Sequence, residues 1–461
     1  MTPQSTDSGP VQSSESFRRC LGTVAVTAQG VAAIGLTGTA MVNIPQVVSL
    51  VGGRTWICYA AALLMILLVT ETLITFKKVP AAADGIAGYV RDRFGDRQGS
   101  LAAWTLLLGY AGNALCCLTV FGLYLDHFSR RLGFGVWPAA GFLVGGLLCY
   151  TLARRDVQLS AMTMLGTESL SVIVILALCA LILLGRKDPT ELLTVPEMLH
   201  PFDTLQKGMM LAILSFVGFE STATLGQETR DPLKAVPRAL RWSVWISGGL
   251  FLFWAYVLGV GLEWLTIDQR GKSNALILLA DQLSSPVAGG LISLGAFICF
   301  FGATLANLMA MGRVAFSLAE RGYLPAKLGV IDARLHTPAN ALTACSLIVI
   351  LVCCLLSMAG LKATEMFDST GSFAVLGFLV CYLLVAITAA FTRGALAWWQ
   401  KLLPLVTAAA LAAVSVSFLI GSWSSQRSVM ICFFLLLLAG AVQTWTFTPV
   451  SSSSTTPETS T

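Results

Sequence analysis

The sequence predicts an all-α polytopic membrane protein with about twelve transmembrane helices. Three observations predict it. First, the 461 residues are 56% hydrophobic and only 11% charged, where soluble domains carry roughly 25% charged residues. Second, apolar runs of about 20 residues recur along the chain, each long enough to cross a hydrocarbon core of about 30 Å. Third, two of these runs, the first and the sixth, are interrupted by Gly or Pro at membrane depth. Spanning backbone must bond to itself, so a broken helix is tolerated only where it lines a cavity. The net charge of +5 belongs to the loops of such a protein and gives no sign of nucleic-acid binding.

The first span covers residues 21–50 and contains Gly30, Gly35, Gly38 and Pro45. Its stretch Gly35-Leu36-Thr37-Gly38-Thr39 is expected to unwind. The second, 55–76, ends at Lys77-Lys78 and is followed by a polar connector lying on the membrane face. The third, 100–127, carries Gly109, Gly112 and Asn113 near its middle. The fourth, 137–152, is short and ends at Arg154-Arg155. The fifth, 159–184, holds Glu168. A Pro-containing loop leads to the sixth, which is broken at Gly218, carries Glu220 and turns polar at Gln227-Glu228. The seventh is expected at 239–262, and a loop at 263–285 precedes the eighth, 287–317. The last four fall at 339–358, 367–392, 402–422 and 429–447. Residues 1–20 and 448–461 are polar and read as disordered tails. The N-terminal tail lacks the short apolar core of a signal peptide.

Orientation follows from charge. With both termini placed in the cytoplasm, about two thirds of the 29 Lys and Arg fall on cytoplasmic segments, as the positive-inside bias requires. Five spans separate the first break from the sixth, an odd number, so the second set of five is inverted relative to the first. That is the inverted-repeat signature of many secondary transporters. It assigns residues 21–184 to one repeat, 185–204 to a connecting extracytoplasmic loop, 205–392 to the second repeat and 393–447 to two further helices.

Residues 215–240, SFVGFESTATLGQETRDPLKAVPRAL, resemble the amino acid–polyamine–organocation (APC) permeases, whose pattern there is Phe-x-Gly-Phe/Trp-Glu, then Glu-x-x-Asn/Asp-Pro, then Pro-Arg. The block NLMAMGRVAFSLAERGYLPAKLGVIDARLHTPANAL is similar to that family's eighth span and following loop. Arg313, Gly322, Leu324, Pro325, Thr337 and Pro338 match it, while Glu320-Arg321 replaces the usual Arg-Asp. The connector Gly85 to Gly95 also resembles the family. The first span departs from the family's Gly-Ser-Gly spacing, since Gly35 and Gly38 are three apart. The resemblance implies the five-plus-five, LeuT-like fold with solute bound near the bilayer midplane.

Chemistry points to the same place. A half-helix ending in an unwound segment presents bare N–H groups, which suit a carboxylate. Gly35, Thr37, Gly38 and Thr39 supply them. The carbonyl end of the sixth-span half-helix, from Ser215, suits an ammonium, with Gly218 and Glu220 at the break. Phe216 and Phe219 are candidates to close over an aliphatic side chain, or else plain packing, and Asn113 completes the substrate set. Glu168 stands where many relatives in that family place a Lys whose ammonium substitutes for a bound sodium. Desolvation at lipid depth disfavours the charged carboxyl, so Glu168 is a candidate proton carrier, faced by Thr304 and Asn307 of the eighth span. A neutral interhelical hydrogen bond is the plain alternative. Arg313 reads as a gate or scaffold contact, and Glu71 as an interfacial one.

Twelve scattered Cys, including Cys116-Cys117 and Cys353-Cys354, match no metal or redox spacing. Three His are expected in loops, and no nucleotide-binding loop is present. The expectation is therefore a transporter in the cytoplasmic membrane, with no cofactor or metal and no enzymatic activity. It would move an amino acid or related amine by alternating access, coupled to protons rather than sodium. Exchange is the close rival, and a transporter-like sensor or channel the rival of another class. The sequence leaves the solute, the direction and the oligomeric state open.

Overall fold

The computed structural model describes residues 17–76, 83–155, 157–185, 202–391 and 398–446. The expected tails, apart from residues 17–20, lie outside the described residues, as do Lys77-Lys78 and nearly all of the 185–204 loop, including His200. Among the described residues the chain is helical, and its β-type pairing is a single backbone bridge between Leu21 and Thr229.

The first span consists of α1 (Thr23–Ile34), a one-turn α2 (Leu36–Gly38), a π-helical turn over Thr39–Asn43, and α3 (Ile44–Val51). After a tight turn come α4 (Thr55–Ile74), the connector helix α5 (Ala87–Phe94), α6 (Asp96–Arg131), α7 (Pro138–Arg155) and α8 (Val157–Leu184). The sixth span opens with α9 (Phe202–Leu214), breaks, and resumes as a 3-10 helix over Phe219–Glu228. Then follow α10 (Pro232–Glu263), α11 (Ile267–Arg270), α12 (Ala275–Leu283), α13 (Pro286–Glu320), α14 (Ala339–Met358), α15 (Ala363–Ala390) and α16 (Trp398–Thr446).

Nine stretches among the described residues are long and apolar enough to cross a membrane. Two of them, Thr23–Ile74 with 52 residues and Leu402–Thr446 with 45, are each longer than one crossing needs, at 1.5 Å per residue. Helix α7, with 18 residues, is about 27 Å long. Such lengths accommodate the twelve crossings expected.

The structure corrects four local expectations. Helix α10 begins at Pro232 instead of 239, because Asp231 stands at the N-cap and Pro232 fits the first turn. The loop expected at 263–285 holds α11 and α12. The eleventh and twelfth spans run together through a kink at Gln426 (φ −123°, ψ 24°) instead of a loop. His127 lies within α6. Glu71 pairs with Arg241 at 2.7 Å across half-exposed surface, as suits an interfacial contact.

Helix α6 packs more extensively on α13 and on α15 than any other pair of helices does. Small residues make this possible. A Cβ on Gly377 would lie 2.5 Å from the Gly109 backbone, and one on Gly112 2.7 Å from the Ala374 backbone. Close backbone approach through small residues is how membrane helices associate when lipid offers no hydrophobic drive. This core holds the two broken spans in place.

Candidate functional site

The site starts from two glycines. Gly35 ends α1 with φ 68° and ψ 70°, its N–H bonded back to Val31 and Ala32. Gly218 ends the run after α9 with φ 108°. Both dihedrals lie in the left-handed region, where a Cβ is costly. The two breaks also touch, since a Cβ on Gly218 would sit 2.7 Å from the Ala33 carbonyl oxygen. The first break is narrower than the sequence implied. It is confined to Gly35, and the chain returns to helical turns at once, so the N–H groups of Gly35 and Thr39 are bonded within the chain instead of bare as expected.

Side chains tie the breaks together and to their neighbours. The Ala33 carbonyl accepts from Asn113 Nδ2 at 3.3 Å and Asn307 Nδ2 at 3.4 Å, and Asn113 also donates to Asn307 Oδ1 at 3.0 Å. Asn307 thus stands at the first break with Asn113, away from Glu168. Asn43 Nδ2 donates to Ser215 Oγ at 2.9 Å, and Thr39 Oγ1 reaches the Ser215 carbonyl at 3.4 Å. Tyr59 meets the same Ser215 hydroxyl at 3.0 Å.

These residues border a cavity of about 390 Å³ lined by Gly35, Gly38, Thr39, Asn113, Ser215 and Val217, with Phe300 of α13 and residues of α15 and α16. The lining residues Asp368 and Ser425 are exposed, so the cavity reaches the surface on that side. Phe216 and Phe219 are not in its wall. Both are fully buried behind it, Phe216 against Phe251 with ring centres 5.0 Å apart and Phe219 against Tyr382 at 5.8 Å. The aromatics in the wall are Phe300, Phe367 and Phe418, and the Phe300 ring fills the place a Cβ on Gly38 would take, 2.7 Å away. Residue type alone could not find it, because Phe300 sits in an apolar run with Phe297 and Phe301.

Glu220 also lies behind the cavity. It is fully buried, and its Oε2 accepts from the Gly218 N–H at 3.2 Å and from the Tyr382 hydroxyl of α15. The carboxylate therefore locks the broken sixth span to α15. No local pattern marks Tyr382, which lies amid apolar residues.

Glu168 forms a separate cluster. Cys299 Sγ of α13 donates to its Oε1 at 3.4 Å, and its Oε2 is buried without a partner. Ser171 Oγ bonds the Glu168 carbonyl at 3.0 Å and accepts from Thr37 Oγ1 at 2.9 Å. The Leu36 backbone N–H interacts with the same carboxyl. The Glu168 backbone is joined to the first break through Ser171 and Thr37, and its carboxyl through the Leu36 N–H. Thr304, expected opposite it, bonds its own helix at the Phe300 carbonyl. The α13 residue facing Glu168 is Cys299.

Further along α13, buried bonds interlock the sixth span with the start of the first. Arg313 makes a two-pronged pair with Glu228 at 2.8 and 2.9 Å, both side chains 2% exposed, and donates to the Met309 carbonyl. The Glu228 carbonyl accepts from the N–H groups of Cys20 and Leu21 at 2.9 and 3.0 Å, and Arg230 N–H returns to Leu21. Gln29 Nε2 reaches the Ala306 carbonyl at 2.8 Å. No cluster of three or more metal-ligating side chains occurs among the described residues.

Known proteins share this organisation. An uncharacterized transporter of Mycobacterium tuberculosis is 27% identical over 323 residues, covering 68% of this chain and 66%, just under two thirds, of its own length. An uncharacterized amino acid permease of Bacillus subtilis is 25% identical, covering 72% and 76% respectively. The crystal structure of a manganese transporter from Eremococcus coleocola, in complex with an aromatic bis-isothiourea substituted compound, superposes with a TM-score of 0.57 at 13% identity. It covers 92% of this chain and 96% of its own, which shows the shared five-plus-five transporter fold. The family model described as amino acid permease matches residues 21–459, and the chain belongs to that family.

Proposed function

We propose that this protein is a secondary active transporter that carries an amino acid or related amine by alternating access. The supporting observation is that two broken helices meet over a largely apolar cavity that carries a few polar groups, open on one side and interlocked on the other. The solute carboxylate would rest near Gly35, Gly38 and Thr39, and its ammonium near Ser215 and the carbonyl end of α9, with Asn113 between them. The Arg313–Glu228 pair and the Leu21–Thr229 bridge form the inner gate in this scheme. It places both termini in the cytoplasm and the chain in the cytoplasmic membrane, with residues 21–184 and 205–392 as the two repeats.

We further propose that Glu168 carries the coupled proton. Its partnerless Oε2, and the contact of its carboxyl with the Leu36 N–H at the first break, support this. Protonation or release there would bear directly on the Leu36–Gly38 turn. The test is uptake of a panel of radiolabelled amino acids and polyamines into proteoliposomes, with and without an imposed pH gradient. Wild-type uptake should rise with an inward proton gradient. Glu168→Gln should lose that response and keep counterflow. Full response to pH in the variant would remove the proton role and leave exchange as the mechanism.

A further inference from the structure

Neither buried carboxylate of the broken-helix region reaches the cavity, yet one carboxylate does. Asp368, on the second turn of α15, is exposed and forms part of the cavity wall. It is the one charged side chain there among the described residues, and it has no hydrogen-bond or ion-pair partner among them. The other polar groups of the wall are neutral, among them Asn43, Gln46, Ser372 and Gln426. Six residues along α15, Ala374 packs on Gly112, next to Asn113. Asp368 is therefore about 9 Å from the level of the first break, toward the opening. The nearby cations do not neutralise it. Lys362 stands at the helix cap with Glu365, and Arg427 lies over the Trp423 ring at 5.8 Å.

A single unpaired charge at the throat of a cavity with low-dielectric walls focuses its field along the cavity axis. We propose that Asp368 sets the charge preference of the site. It favours amino acids and amines that carry a cationic side chain over neutral ones, and it turns acidic ones away. This inference rests on the transport reading above and names the substrate class for it. In that geometry an approaching ammonium meets Asp368 before the broken helices. The effect should fall on apparent affinity and its salt dependence, not on the maximal rate.

The test uses the full-length protein in proteoliposomes, with radiolabelled lysine, serine and glutamate as probes. In the wild type, lysine should be taken up with the lowest KM and glutamate least well. Asp368→Asn keeps the side-chain shape. It should raise KM for lysine about fivefold, the size of a unit-charge contact through water, and move serine little. Asp368→Glu should restore the lysine preference. Raising ionic strength should weaken lysine uptake in the wild type and not in Asp368→Asn. An unchanged ratio of lysine to serine KM in Asp368→Asn, with transport intact, overturns the inference and leaves the transport reading standing. Absence of amino acid uptake by the wild type overturns both.

Discussion

Replacing Gly218 with Ala adds one methyl at the point where the two broken spans touch. Two costs follow from the geometry. The φ of 108° is a conformation that costs a residue with a Cβ about 1–2 kcal/mol. The new Cβ would also stand 2.7 Å from the Ala33 carbonyl oxygen and 2.8 Å from its carbon. Those are backbone atoms held by Asn113 and Asn307, so they cannot swing aside, and overpacking of this kind costs about 1–3 kcal/mol more. The expected loss is about 2–5 kcal/mol in all. Gly35→Ala separates the two costs. Its φ is 68°, but its Cβ would meet only the Ala303 methyl at 3.4 Å, so it should lose about 1–2 kcal/mol. Gly249 is helical and faces open space, and Gly249→Ala should leave stability equal or higher by up to about 1 kcal/mol. Apparent melting temperatures in detergent should therefore rank Gly249→Ala first, Gly35→Ala second and Gly218→Ala last. A Gly218→Ala protein that melts with Gly35→Ala would refute the close backbone approach of the two breaks.

Two further outcomes follow from the buried polar contacts. Arg313→Ala strands the Glu228 carboxylate in a site 2% exposed, and should lower stability by about 3–5 kcal/mol. The paired Arg313→Met, Glu228→Met variant should recover most of that loss, because two apolar side chains leave no uncompensated charge. Equal melting of the two would show that the pair is not buried as a unit. Tyr382→Phe keeps the ring against Phe219 and removes the donor to Glu220, leaving a buried carboxylate with one donor fewer. A loss of about 1–3 kcal/mol in thermal unfolding is expected, and no loss would separate Glu220 from α15.

The fold class, the helical content and the positions of the two breaks could be read from residues 21–238. Each depends on a local rule: apolar length sets a span, and Gly at membrane depth marks a break. The site was readable only where backbone carried it. Gly35, Gly38, Thr39, Asn113 and Ser215 line the cavity, because they lie on or beside the breaks themselves. Phe216, Phe219 and Glu220 lie on the same stretch but turn away from it. Which face of a broken helix looks inward depends on the dihedrals at Gly218 and on what packs behind, and neither is written in the local sequence.

Repeated membrane crossing and the two breaks are legible in the chain alone, since the bilayer imposes both through hydrogen-bond satisfaction within a single segment. Which side chains share a cavity follows from how distant helices pack. Tyr382 reaches Glu220 across 162 positions, Cys299 reaches Glu168 across 131, and Arg313 reaches Glu228 across 85. Asp368 enters the cavity wall from a helix that no motif had singled out. Contacts of that range are fixed by how helices pack, through close approach at residues such as Gly109 and Gly377, and packing is a property of pairs of segments, not of either one alone.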